Sequence, residues 1–274
     1  MVVGIAGTPA PAHFEIGRVI SRTFDVIGKN PVTFFGLSFL LSIPYWIFTF
    51  YSVLLVYFGV GSQALIARQT LTQPGTVPAL VAVAIVGFLI YFVFSNLLQA
   101  AITHGTIVSL NGGKASFGDC FSTGVRNVLP LTGIVLLAAL GIGLGFLLLV
   151  VPGVILALMW SVITPVRVAE QTGVMDTLRR SSSLTSSYKG SIFGLFVIVV
   201  VLGIVANMTV RPLSGVSMIG NVAAANASIT FMTLTGLVRV ALDLIGAAGV
   251  ASIYYELRLV KEGVGPEQLA AVFA

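Results

Sequence analysis

Six long apolar stretches, at about 32–58, 78–107, 130–150, 153–169, 191–210 and 230–256, alternate with short polar intervals along this chain. A helix that crosses about 30 Å of hydrocarbon at about 1.5 Å per residue needs roughly 20 such residues. The pattern predicts an all-α integral membrane protein with six transmembrane helices, the longer ones tilted or projecting into the interface. Transmembrane strands would alternate apolar and polar positions, and these stretches do not.

A second pattern sits in front of the spans. In FEIGRVISRTFDVIGK, Glu15, Arg18, Arg22, Asp25 and Lys29 recur at steps of three and four, while Ile16, Val19, Ile20, Phe24 and Ile27 fill the opposite face. That spacing predicts an amphipathic helix lying in the interface, broken at Asn30-Pro31 where the chain turns into the membrane. SFGDCFSTGVRNVLP repeats the plan, with Phe117, Cys120, Phe121, Val125 and Val128 on one face and Asp119, Thr123 and Arg126 away from it. Phe24, Lys29, Asn30 and Gly36 match Phe121, Arg126, Asn127 and Gly133 at one constant offset, 97 residues. A weaker copy, VMDTLRRSSSLTSSYKGSIFGL, precedes the fifth span, with its break placed at Gly190.

The expected architecture is three hairpins, each led by an amphipathic interfacial helix on the cytoplasmic side. The units are 13–108, 116–169 and 173–258 within a single polytopic domain, 1–274. In the middle hairpin LLLVVPGVILALMW leaves almost no polar loop, and Pro152-Gly153 is expected to make a tight turn at the outer surface.

Composition agrees with lipid as the main solvent. Mean hydropathy is +1.06 and 8% of residues are charged, against about a quarter in soluble domains. The net charge of +5 does not point to nucleic acid, because the basic residues flank the spans. Arg18, Arg22, Lys29, Lys114, Arg126, Arg167, Arg179, Arg180, Lys189, Arg258 and Lys261 fall on one side, 11 against 2 (Arg68 and Arg211) on the other. The positive-inside rule then places both termini in the cytoplasm, as an even number of spans requires. The N-terminus has no basic start followed by an apolar core, so no signal peptide is expected, and the single Cys120 excludes an internal disulfide.

Few residues offer chemistry. Arg239 and Asp243, four apart inside the last apolar stretch, are the candidate intramembrane polar pair. The alternative is an ion pair near the outer interface with Arg239 snorkelling outward. Asn96, Gln99 and Thr103 form a candidate polar stripe along the second span, suited to interhelical hydrogen bonds or to a polar path. His104 lacks metal-ligand spacing, and GIGLGFL (Gly141, Gly143, Gly145) lacks the strand context of a nucleotide loop, so close helix packing is expected there. Gly246 and Gly249 are three apart and fit the small-residue packing motif only loosely. Arg18, Arg22, Lys29, Arg126, Arg179, Arg180 and Lys189 are the candidate lipid-head contacts. No catalytic, metal or cofactor-binding set emerges, and no cofactor is expected.

VVPGVILALMWSVITPVRVAEQTGVMDTLRRSSSLT, followed after a span by YYELRLVKEG, resembles a bacterial membrane-domain family. That family occurs fused to glycerophosphoryl diester phosphodiesterases and as stand-alone forms of unknown function. The resemblance rests on Pro152-Gly153, Trp160, Pro165, Glu170, Gly173, Leu178, Arg180-Ser181 and Tyr255-Glu256-Leu257-Arg258. In the fused forms the hydrolase is a separate soluble domain, which is not expected within Met1–Ala274, so the resemblance brings no catalytic residues. The expected role is a non-enzymatic protein of the bacterial inner membrane: scaffold, accessory subunit of a membrane complex or lipid-associated regulator. Its partners would be membrane lipids and other integral membrane proteins. A small-molecule transporter or channel is the alternative.

Overall fold

The computed structural model describes residues 13–54, 76–213 and 229–263. Of these, 90% are helical, and no strand occurs among them. Nine helices follow in chain order: α1 Ile16–Lys29, α2 Pro31–Leu54, α3 Thr76–Leu110, α4 Phe117–Leu148, α5 Val150–Met159, α6 Ile163–Glu170, α7 Val174–Thr185, α8 Lys189–Leu213 and α9 Ile229–Glu262. Among the described residues six segments are long and apolar enough to cross a membrane: α2, α3, α4, α5 with α6, α8 and α9. Residues 55–58 of the first predicted span, and Arg68, lie outside the described residues.

The chain's own chemistry places the helix ends. Asn30 leaves helical geometry while its N–H still bonds the Val26 carbonyl, and Pro31 opens α2 at the position where its missing N–H has no helical partner anyway. Asn30 also donates from Nδ2 to Ser109 Oγ at 3.1 Å, fixing the start of α2 beside the end of α3. There α3 closes on Gly112, whose φ of +84° suits a residue without Cβ.

Four departures from the sequence reading concern breaks, the first being that Pro152-Gly153 makes no turn but lies inside α5, the chain reversing at Leu149 instead. The predicted lead-in at 117–128 is not a separate helix: α4 runs from Phe117 to Leu148 straight through Pro130. Neighbouring helices and local adjustment can absorb the hydrogen bond that proline removes. Conversely, the stretch 153–169 is not one helix. It is interrupted at Trp160–Val162, between α5 and α6. The interruption frees the Met159 carbonyl, which accepts from Ser181 Oγ at 2.8 Å and Thr185 Oγ1 at 3.2 Å, both on α7. The break before the fifth span falls at 186–188, and Gly190 is already inside α8.

Between α4 and α5 only Leu149 is extended, with φ −161° and ψ 149°. A Cβ on Gly145 would sit 3.0 Å from the Gly153 Cα, and one on Gly141 would sit 2.6 Å from the Trp160 ring. The glycines of GIGLGFL that touch a neighbour therefore bring α4 and α5 together, whereas Gly143 faces nothing within 4 Å.

Helix α9 is the centre of the bundle and packs against α1, α2, α3 and α8. One buried cluster joins Phe34, Leu37, Leu98, Ile102, Leu244 and Ala248 from α2, α3 and α9. Another joins Val19, Val162, Leu184, Ile192, Ile253 and Leu257 from α1, the α5–α6 break, α7, α8 and α9. The outward faces carry large apolar side chains such as Phe88, Leu140, Leu144, Leu147 and Val200. Apolar patches of that extent are rare on water-soluble monomers and match a hydrocarbon solvent, so the molecule has the surface of a multi-pass membrane protein. Van der Waals packing and interhelical hydrogen bonds, rather than escape from water, then hold such helices to one another.

Candidate functional site

At the pole of the bundle where α1 lies, charged residues far apart in sequence meet. Glu256 on α9 has no exposed surface. Arg18 donates from Nε to its Oε1 at 2.7 Å, and Arg22, one turn further along α1, pairs with Oε2. The Arg22 guanidinium also lies over the Tyr255 ring, 5.2 Å from its centroid. The face of α1 that carries these arginines is turned to the bundle, because Val19, Thr23, Val26 and Ile27 beside them are buried.

A second network adjoins it. Arg180 on α7 bridges Glu170 on α6 (2.9 Å) and Glu262 on α9 (2.6 Å). Tyr254 donates its hydroxyl to Glu170 at 2.9 Å, and Arg258 holds Glu262 at 2.9 Å. Burial works against the charge of Arg180, but the bonds and charges of Glu170 and Glu262 outweigh it and hold the guanidinium above its ordinary value. Lys261 donates to the Ser183 carbonyl at 2.7 Å and to Ser186 Oγ at 3.0 Å. Arg126 on α4 reaches the side chain of Gln171 at 2.9 Å, and Gln171 caps α6 in the left-handed region, with φ 49°. Together these bonds tie α1, α4, α6, α7 and α9 into one polar frame.

The candidate lipid-head residues thus divide. Arg18, Arg22, Arg126 and Arg180 are engaged in the frame, whereas Lys29 and Arg179 are exposed and Lys189 is half-buried at the start of α8. Ser181 is buried against the α5–α6 break, which the sequence could not show.

The pair in the last span forms: Arg239 Nε lies 3.6 Å from Asp243 Oδ2. Its setting was not readable from spacing. Tyr45 on α2 and Tyr91 on α3 flank the guanidinium at 4.6 and 4.9 Å from their centroids, and Arg239 donates to the Tyr91 hydroxyl. The candidate stripe separates. Asn96 and Thr103 are buried, with Asn96 Nδ2 donating to the Phe92 carbonyl. Gln99 is exposed and accepts from Thr164 Oγ1 at 3.4 Å. Glu170 and Asp243 belong to different clusters. Among the described residues no three His, Cys, Asp or Glu side chains gather as a metal would require.

Between α1, α8 and α9 lies a cleft of about 410 Å³ with largely apolar walls, to which Thr23, Gln99, Ser161 and Asp243 contribute the polar atoms. Its volume falls in the few-hundred-Å³ range of small-molecule sites. Comparison with protein-family models, curated proteins and solved structures finds no match. A functional reading therefore rests on this geometry and on the sequence.

Proposed function

We propose that the chain is a multi-pass protein of the bacterial cytoplasmic membrane, with six spans in three hairpins and both termini in the cytoplasm. It acts without chemistry of its own, as a scaffold, accessory subunit or lipid-associated regulator. Interfacial lead-in segments precede the hairpins as α1, the first part of α4, and α7. The observation that carries this reading is the polar frame. The pairs Arg18–Glu256, Arg22–Glu256 and Arg180–Glu262 hold α1 and α7 to α9, and Arg180–Glu170 holds α7 to α6. A rigid, broad face of that kind suits docking to lipid heads or to a larger complex. The resemblance to stand-alone phosphodiesterase-type membrane domains fits the same role and supplies no catalytic set.

Purification in native lipid followed by mass spectrometry tests the proposal. Enriched lipid or a stoichiometric membrane partner is the expected result. Recovery as a lone monomer without enriched lipid counts against it. A transporter is the second reading, favoured by the break at Trp160–Val162 beside a cleft that Ser161, Gln99 and Asp243 line. Solute flux in liposomes that falls in Arg239→Ala and Asp243→Asn would establish it, and no flux across a broad solute panel would remove it.

A further inference from the structure

The cleft between α1, α8 and α9 is kept open by two glycines. Gly246 and Gly249 line it, and a Cβ built on either meets nothing within 4 Å. They do not serve close helix packing, unlike Gly145, whose Cβ would press on the Gly153 backbone. Glycine inside a helix costs about 1 kcal/mol relative to alanine, and these two leave room that no side chain among the described residues fills.

The polar atoms on the walls are largely in use. Thr23 donates to the Val19 carbonyl, Ser161 to the Leu158 carbonyl, Gln99 accepts from Thr164, and Asp243 faces Arg239. What the cleft offers is hydrocarbon. Along α9 it runs from Leu242 to Ile253, roughly 16 Å at about 1.5 Å per residue. That is close to one leaflet's share, about 15 Å, of a hydrocarbon core about 30 Å thick.

One end of the cleft is marked by charge. Ile253 and Val19 belong to one buried cluster at the α1 end, where Arg18 and Arg22 share the single Glu256. Glu15 adds one exposed carboxylate, 3.5 Å from Arg18. Lys189 has no ion pair among the described residues and stands six positions before Leu195 of the cleft wall, about 9 Å of helix. Asp25 and Lys29 follow on the same stripe of α1, and four cations against three carboxylates leave this end positive.

We infer that the cleft holds one acyl chain of an anionic glycerophospholipid. The chain lies along Gly246 and Gly249 with its end toward Leu242, and the phosphate rests at the Lys189 end. The inference depends on the membrane placement proposed above and deepens it from general lipid association to a defined site.

The full chain is reconstituted in vesicles containing phosphatidylglycerol or phosphatidylcholine with a photoreactive diazirine near the acyl terminus, and the labelled peptides are located by mass spectrometry. Labelling of the α8 and α9 cleft walls is expected, stronger from phosphatidylglycerol. It should drop in Gly246→Leu/Gly249→Leu to the level of the outward face of α4. Gly143→Leu, which also fills open space but outside the cleft, should leave it unchanged, and Lys189→Gln should remove the preference for the anionic lipid. If the Leu pair loses helix content, the single Gly246→Leu variant is read in the same way, with partial loss expected. Labelling that ignores the glycine substitutions, or equal labelling from both lipids, overturns the inference. An alkaline wash separates the two levels. A chain that stays in the vesicles with unaltered labelling sinks only this site, whereas a chain that washes off sinks the membrane placement as well.

Discussion

Glu256 and its two arginines are not equivalent partners. The carboxylate is fully enclosed, while the Arg18 and Arg22 side chains keep 30% and 23% of their surface. Removing the arginines strands a charge with no route to water, at a cost of about 3–5 kcal/mol. Removing the charge of Glu256 lets both arginines turn outward, and glutamine keeps a hydrogen bond, so the cost is about 1–2 kcal/mol. Arg18→Ala/Arg22→Ala should therefore destabilise the protein markedly more than Glu256→Gln, measured by reversible unfolding in detergent micelles. Equal losses would mean that the pair is not enclosed as the geometry has it. Arg239 is a contrasting case. It and Asp243 each keep at least 40% of their surface, but on a candidate span, where charges are costly and pair with one another. The flat guanidinium between two tyrosine faces is the more specific feature, one that lysine does not reproduce.

Among the elements, the junction of α4 and α5 is the most tightly determined. Leu149 alone reverses the chain, and the helices approach so closely that a Cβ on Gly145 would lie 3.0 Å from a backbone atom of Gly153. Backbone cannot swing aside as a flexible side chain can. Gly145→Leu should therefore cost about 1–3 kcal/mol by overpacking. Gly143→Leu, two positions away and facing open space, should be neutral or slightly stabilising, since leucine favours a helix over glycine by up to about 1 kcal/mol. Thermal denaturation of the two variants side by side checks this, and similar melting temperatures would contradict the close approach. Sequence alone predicted close packing at GIGLGFL, where Gly141 and Gly145 stand four apart on one helix face. It could not show that Pro130 leaves α4 unbroken while Trp160–Val162 breaks the next span. Those outcomes depend on what surrounds each backbone carbonyl, and the Ser181 and Thr185 hydroxyls that reach Met159 come from more than 20 residues away.

At the scale of the molecule, what could be read from the chain was what repeats locally. Six apolar windows and the four-residue step from Arg239 to Asp243 each follow from period and spacing. The frame could not be read, since Arg18 and Glu256 lie 238 positions apart and nothing local pairs them. The frame nonetheless bears on topology. Helix α4 has 32 residues, roughly 48 Å, well beyond about 30 Å of hydrocarbon, so its first turns project at the pole where Arg126 meets Gln171. Asn30 beside Ser109, Thr33 beside Ala115 and Lys261 beside Ser183 bring the neighbourhoods of Lys29, Lys114 and Lys261 to that same pole. Leu149 stands at the far end of α4. Single cysteines at Lys29, Lys114, Lys189 and Lys261 on a Cys120→Ala background should therefore react with a membrane-impermeant maleimide only from the cytoplasmic side, in inverted vesicles. A cysteine at Leu149 should react only from the opposite side, in intact spheroplasts. Any one of the four lysine positions labelling together with Leu149 would break the even-span arrangement, because α4 would then have both ends on one face of the membrane or a neighbouring span would fail to cross.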